Sequence, residues 1–99
     1  MVNHIVLWNF KPELTKEERE AAGAQIHENL IAVKEQVSGV ISLQIVVNEL
    51  DSSNKDIGLI SSFESVEALN AYQVHPAHVK AGSYIRQVTY DRVCLDYEV

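Results

Sequence analysis

Residues 2–10 read Val2-Asn3-His4-Ile5-Val6-Leu7-Trp8-Asn9-Phe10, a run that is almost wholly apolar or β-prone and stops at Lys11-Pro12. Proline removes a backbone donor and restricts the residue before it, so the run is a strand with a defined end. Side chains alternate along a strand, which sets Ile5 and Leu7 on one face and Val6, Trp8 and Phe10 on the other. Both faces are apolar, and such a strand must be covered on both sides.

Working outward, Thr15-Lys16-Glu17-Glu18 has the capping-box form and starts a helix. Ala22, Ile26, Leu30 and Val33 recur on its apolar face, and it ends near Ser38-Gly39. Val40 to Leu50 alternates as a second strand, with Ile41, Leu43, Ile45 and Val47 on one side. The polar stretch from Asp51 to Asp56 turns the chain into a third strand, Ile57 to Phe63. Ser65 caps a second helix through Val66, Leu69 and Tyr72; Pro76 breaks it and opens a third, running to about Arg86. Thr89 to Tyr97 closes the chain as a fourth strand. The order β-α-β-β-α-β predicts an α+β, ferredoxin-like antiparallel sheet with its helices on one face. We expect the bare face to be the one carrying Trp8 and Phe10, so that two copies packed sheet to sheet enclose a barrel whose interior is also a pocket.

The chain has 99 residues, the size of one domain over 1–99, and a domain this small gains from a partner subunit. Eight Lys+Arg against fourteen Asp+Glu give a net charge of −6 with no basic cluster, which argues against nucleic acid and anionic lipid. The lone Cys94 suits a reducing compartment, and the start MVNHIVLW has no signal-peptide form, so we expect a cytoplasmic, membrane-free protein. The four glycines never form a phosphate loop, no GxSxG elbow exists, and no complete zinc ligand set is present. No cofactor and no metal are expected.

Chemistry concentrates in Tyr72-Gln73-Val74-His75-Pro76-Ala77-His78. Histidine titrates near neutrality and a tyrosine hydroxyl can stabilise an oxyanion, so Tyr72 and His78 are candidate acid/base groups. His75 either joins them as a substrate contact or, with Pro76, caps the third helix. His4, in line with Val6 and Trp8, points to the expected cavity on the face away from the helices, either as a satisfied core residue or as a pocket group. Asp96 shares a side of the fourth strand with Arg92 and Cys94. It orients an imidazole, taken as that of His78, or pairs with Arg92 in an ion network. Cys94 reads as a small core residue and His27 as a surface histidine.

His4-Ile5-Val6-Leu7, Phe10-Lys11, Phe63-Glu64-Ser65, Tyr72 with His75-Pro76-Ala77-His78-Val79, and Asp96-Tyr97 together resemble the stress-responsive A/B barrel (Dabb, dimeric α+β barrel) family. The Tyr-x-x-His-Pro-x-His run is the most specific piece. The resemblance implies a ferredoxin-like homodimer with a small-molecule cavity between each sheet and its own helices or loops. It also implies, by likeness to a plant polyketide cyclase of the family, cofactor-free aldol-type ring closure with acid/base residues at Tyr72 and His78, a carboxylate at Asp96 and a pocket histidine at His4. Arg92 departs from that pattern, standing where an aliphatic residue is expected, and so do Ala22, Gly23 and Ile26 where the cyclase has bulky aromatics. Two functions compete. One is an enzyme that cyclises or isomerises a small, polyketide-like carbonyl compound, with Tyr72, His78 and Asp96 catalytic and His4, Val6, Trp8, His75 and Arg92 against the substrate. The other is a binding or stress-response dimer in which the same residues form a structural network.

Overall fold

In the computed structural model, which describes residues 1–99, the elements run β1 (Val2–Phe10), α1 (Lys16–Gln36), β2 (Val40–Val47), β3 (Ile57–Phe63), α2 (Val66–Val74), α3 (Pro76–Val88) and β4 (Thr89–Glu98). The strands form one antiparallel sheet in the order β2-β3-β1-β4, so β1 is hydrogen-bonded along both edges. This is the ferredoxin-like α+β arrangement expected from the sequence, with three helices on one face. No helix is long and apolar enough to cross a membrane.

Local chemistry explains the boundaries. Thr15 accepts from Glu18 N–H while the Glu18 carboxylate accepts from Thr15 N–H, a complete capping box. The Ser65 hydroxyl accepts from Ala68 N–H at the start of α2. At α3, Pro76 occupies the first turn and the His75 Nδ1 accepts from Ala77 N–H, so His75 is the cap and its ring is committed to the backbone.

The faces of β1 are the reverse of the expectation. Val2, His4, Val6, Trp8 and Phe10 are all buried, beneath α1 and the α2–α3 pair, and pack with Ile26, Leu30, Leu59 and Phe63. Ile5 and Leu7 lie on the open face instead. Period two separates the two sets without saying which takes the helices. The set with the larger side chains does so here, because each buried large apolar group contributes roughly 1.5–3 kcal/mol. The open face carries Ile5, Leu7, Ile60, Val93, Leu95 and Tyr97, placed there by the β1–β3 and β1–β4 register. In β2 a register shift between Val40 and Ser42 takes Ile41 out of line with Leu43 and Ile45, leaving it exposed.

A second irregularity shapes the site. Between Leu7 and Asn9 the β1–β4 register shifts, so that Asp91 and Arg92 together oppose Trp8, which is a β-bulge. Asp91 takes φ 59°, and its carboxylate accepts from Lys55 Nζ and Asn9 Nδ2 while its carbonyl accepts from the same lysine. Lys55 also holds the Asp91 carboxyl below its ordinary range. The bulge sets Arg92, Cys94 and Asp96 on the helix-covered side of the edge strand.

Gly39, at φ +87°, closes the turn into β2 where a Cβ would stand 2.6 Å from Ala68 Cβ of α2. An L side chain meets both a left-handed backbone, costing about 1–2 kcal/mol, and a clash. Gly39→Ala is therefore expected to lower the melting temperature by at least about 5 °C in a domain of this size, read by thermal denaturation; an unchanged midpoint contradicts the close approach.

Candidate active site

A cavity of about 210 Å³ opens between the sheet and the helices. Its apolar wall is Val6 and Trp8 of β1, Leu59 of β3, Leu30 of α1 and Ile85 of α3. The polar groups facing it are His4, Gln73, His78, Arg86 and Arg92. Four of the residues expected to contact a substrate, His4, Val6, Trp8 and Arg92, do line it together with His78. They do so under the helices, not on the sheet's far face. His75 does not line it, being the α3 cap. A larger hollow, about 390 Å³, sits at the start of α1, but it holds no histidine and its Arg19 is already paired with Asp56.

Tyr72 lies fully buried beside the cavity without lining it. Its ring sits 4.4 Å from the His78 ring and 4.9 Å from that of Phe63, with His4 edge-on at 6.4 Å. The Tyr72 hydroxyl has no hydrogen-bond partner in the protein. Burial pushes its phenol well above the ordinary tyrosine value, so it is a neutral O–H donor. Leaving such a group unpaired costs about 1–3 kcal/mol.

The carboxylate expected to orient His78 orients His4. Across the β1–β4 pair, His4 faces Asp96, and Asp96 Oδ1 accepts a hydrogen bond from His4 Nδ1–H. That bond fixes the tautomer and leaves Nε2 without a protein partner. Arg92 and Asp96 make no ion pair. Cys94, on the helix-covered side of the edge strand yet solvent-exposed and so no core residue, places Sγ 3.6 Å from Asp96 Oδ1 and 3.8 Å from His4 Nδ1. Partial desolvation and the neighbouring carboxylate push its thiol up, away from a nucleophilic thiolate. His4, Cys94 and Asp96 thus bring three possible metal donors within 4.8 Å, a set invisible in sequence because its members lie at positions 4, 94 and 96. The nitrogen of His4 that a metal would take is the one Asp96 already holds.

His78 is held below the ordinary histidine value, chiefly by desolvation; the backbone of Gln73 opposes this, and the charges of His4, Arg92 and Arg86 reinforce it. It is thus a neutral imidazole, able to accept a proton, at pH 7. Gln73, Arg86, Leu30, Leu59 and Ile85 were not singled out from sequence. For Ile85 and Arg86 a signal existed, since His78, Gly82, Ile85 and Arg86 fall at helical spacing on one face of α3.

Fold and site together define a ferredoxin-like α+β domain with a small cavity, imidazole-lined at one end, between sheet and helices. The chain belongs to the stress responsive A/B barrel domain family, whose family model matches residues 2–99. Olivetolic acid cyclase of Cannabis sativa is 29% identical over 100 residues, covering 97% of this chain and 94% of that protein. A dimeric protein of unknown function with a ferredoxin-like fold from Bacteroides fragilis NCTC 9343 superposes with a TM-score of 0.91 at 28% identity, over 99% of this chain and 95% of its own. A dimeric ferredoxin-like protein from Thermobifida fusca YX shares the fold at 20% identity and a TM-score of 0.83, covering 99% of this chain and 90% of that one.

A histidine whose folded value is depressed binds fewer protons folded than unfolded. Its contribution to stability is flat above about pH 6.5, the unfolded value, and is lost as pH falls below it. NMR titration of the four imidazoles should find His78 titrating below 6.5. Arg92→Gln should raise that midpoint, and a His78 midpoint at or above 6.5 contradicts the desolvated site.

Proposed function

We propose that the chain acts as a homodimer and that each subunit's cavity performs cofactor-independent acid/base chemistry on a small enolisable carbonyl compound, a cyclisation or isomerisation. The observation that carries this reading is the buried, unpartnered Tyr72 hydroxyl 4.4 Å, ring to ring, from a neutral His78. The hydroxyl lies behind the cavity wall, and in this reading substrate binding displaces that wall so that a carbonyl satisfies the donor. Neutral His78 takes a proton from the carbon beside the carbonyl, and the electron pair moves onto oxygen as an enolate, which Tyr72 O–H stabilises. The imidazolium then returns its proton, to carbon in an isomerisation or to the new alkoxide when the enolate attacks a second carbonyl. Asp96 bonds His4 at Nδ1, which leaves Nε2 as the ring nitrogen without a protein partner, and His4 lines the same cavity. The relationship to a cyclase supports the reaction class.

The dimer follows from the open sheet face. Leu95 is 59% exposed in the single chain, Val93 46% and Tyr97 43%, and they continue the apolar surface of Ile5, Leu7 and Ile60. A contiguous apolar sheet face of this kind marks an interface. Two fold relatives are dimeric. The alternative, a stress-response dimer with a structural network, draws on the His4–Asp96 bond, which is complete without a ligand.

Two measurements test these claims. Light scattering should give twice the mass of one chain for the wild type and one chain for Leu95→Glu, because an unpaired charge on a buried face costs several kcal/mol; a wild-type monomer removes the dimer. Deuteration at C3 of heptane-2,4-dione in D₂O should be accelerated by the wild type and slowed roughly 10²- to 10⁴-fold by His78→Ala with the dimer intact. Equal rates with both proteins leave only the structural reading.

A further inference from the structure

The chain carries three arginines, Arg19, Arg86 and Arg92, in a protein of net charge −6. Arg19 pairs with Asp56. The other two both line the 210 Å³ cavity, no carboxylate comes within ion-pair distance of either, and no Asp or Glu is among the lining residues. Asp96, on the same side of β4 as Arg92, has its Oδ1 committed to His4. Both are solvent-exposed, and local structure sets where each stands. Arg92 owes its position to the bulge that Lys55 and Asn9 fasten through Asp91, and Arg86 Nη1 lies 3.4 Å from where a Cβ would stand at Gly82, the bare stretch of α3 that lines the cavity.

Two unneutralised guanidinium groups over an apolar floor are suited to a ligand that is anionic at one end and apolar at the other. Guanidinium presents paired N–H donors that match a carboxylate's two oxygens. The volume, about seven waters' worth of liquid at roughly 30 Å³ each, limits the ligand to a small acid. We infer that Arg92 and Arg86 form the anion-recognition end of this cavity, and that its substrate is a small carboxylate-bearing carbonyl compound whose apolar part lies on Val6, Trp8 and Ile85. The inference rests on the cavity's being the substrate site proposed above and narrows the substrate class within it. Arg92 is a specificity residue in this scheme, and the proton transfer remains with His78 and Tyr72.

Benzoate and benzamide, nearly equal in shape and different in charge, are the probes. The dimeric wild-type protein is expected to bind benzoate at least tenfold more tightly than benzamide by calorimetry or NMR titration, with benzoate affinity falling as salt is raised. Arg92→Gln should remove most of that preference, leaving benzamide affinity unchanged, and Arg86→Gln should reduce it; Arg92→Lys should restore part of it. Benzamide bound as well as benzoate by the wild type, or a benzoate preference that survives both glutamine variants, overturns the inference. Binding is read without turnover. A benzoate preference in a protein that fails to accelerate dione deuteration therefore supports the anion site while removing the acid/base reading, and deuteration without the preference does the opposite.

Discussion

β1 is apolar on both faces and hydrogen-bonded on both edges, and helices on one side of a sheet can cover only one of those faces. The remaining architecture follows from how that conflict resolves. The face holding Val6, Trp8 and Phe10 takes α1 and the α2–α3 pair, and the face holding Ile5 and Leu7 stays open beside Leu95 and Ile60. Because His4 falls in register with the covered set, a titratable group is carried into the core on the same strand that supplies Val2, Val6, Trp8 and Phe10 to it. Burying an imidazole demands a partner, and the strand that can supply one is β4, the neighbour across which Asp96 stands opposite. The site thus begins as a consequence of strand register.

The helices complete it from the other side. α2 ends where Pro76 forbids its continuation, and the restart at α3 changes the direction of the chain between Tyr72 and His78, six residues apart. A continuous helix would point those two residues about 120° apart, at about 100° per residue. The break lets their rings meet instead. His75, the most conspicuous histidine of the segment, serves this geometry by capping α3, and its contribution to the site is to aim His78.

Most element boundaries were legible because each rests on short-range chemistry: Thr15 with Glu18, Ser65, and Pro76 after His75 are local signals with local causes. Tyr72 and His78 were legible as candidates for the same reason, being close in sequence. The side of the sheet was not, since alternation has two solutions and only the packing of α1 against β1 chooses between them. Nor was the partner of Asp96, because His4 and Asp96 are brought together by the β1–β4 register across a sequence separation of 92. Arg92 stood out as an oddity of type, yet its meaning depends on a bulge that takes a left-handed Asp91 and a lysine from the distant β2–β3 loop to hold it.

The electrostatics of the cavity tie these parts into one argument. Arg92 and Arg86 lower the proton affinity of His78, which favours the neutral ring a base requires but also makes that base weaker. A carboxylate seated between the guanidinium groups cancels much of their field. In the proposed reading, His78 gains basicity when an anionic ligand is in place, while a neutral molecule of the same shape meets the weaker base. Displacing water from the cavity acts in the other direction by disfavouring the imidazolium, so the two effects oppose each other. Tyr72, driven upward by burial alone, is untouched by this balance and stays a donor throughout. In the proposed reading, the same charge that selects the substrate also tunes the strength of the group that acts on it.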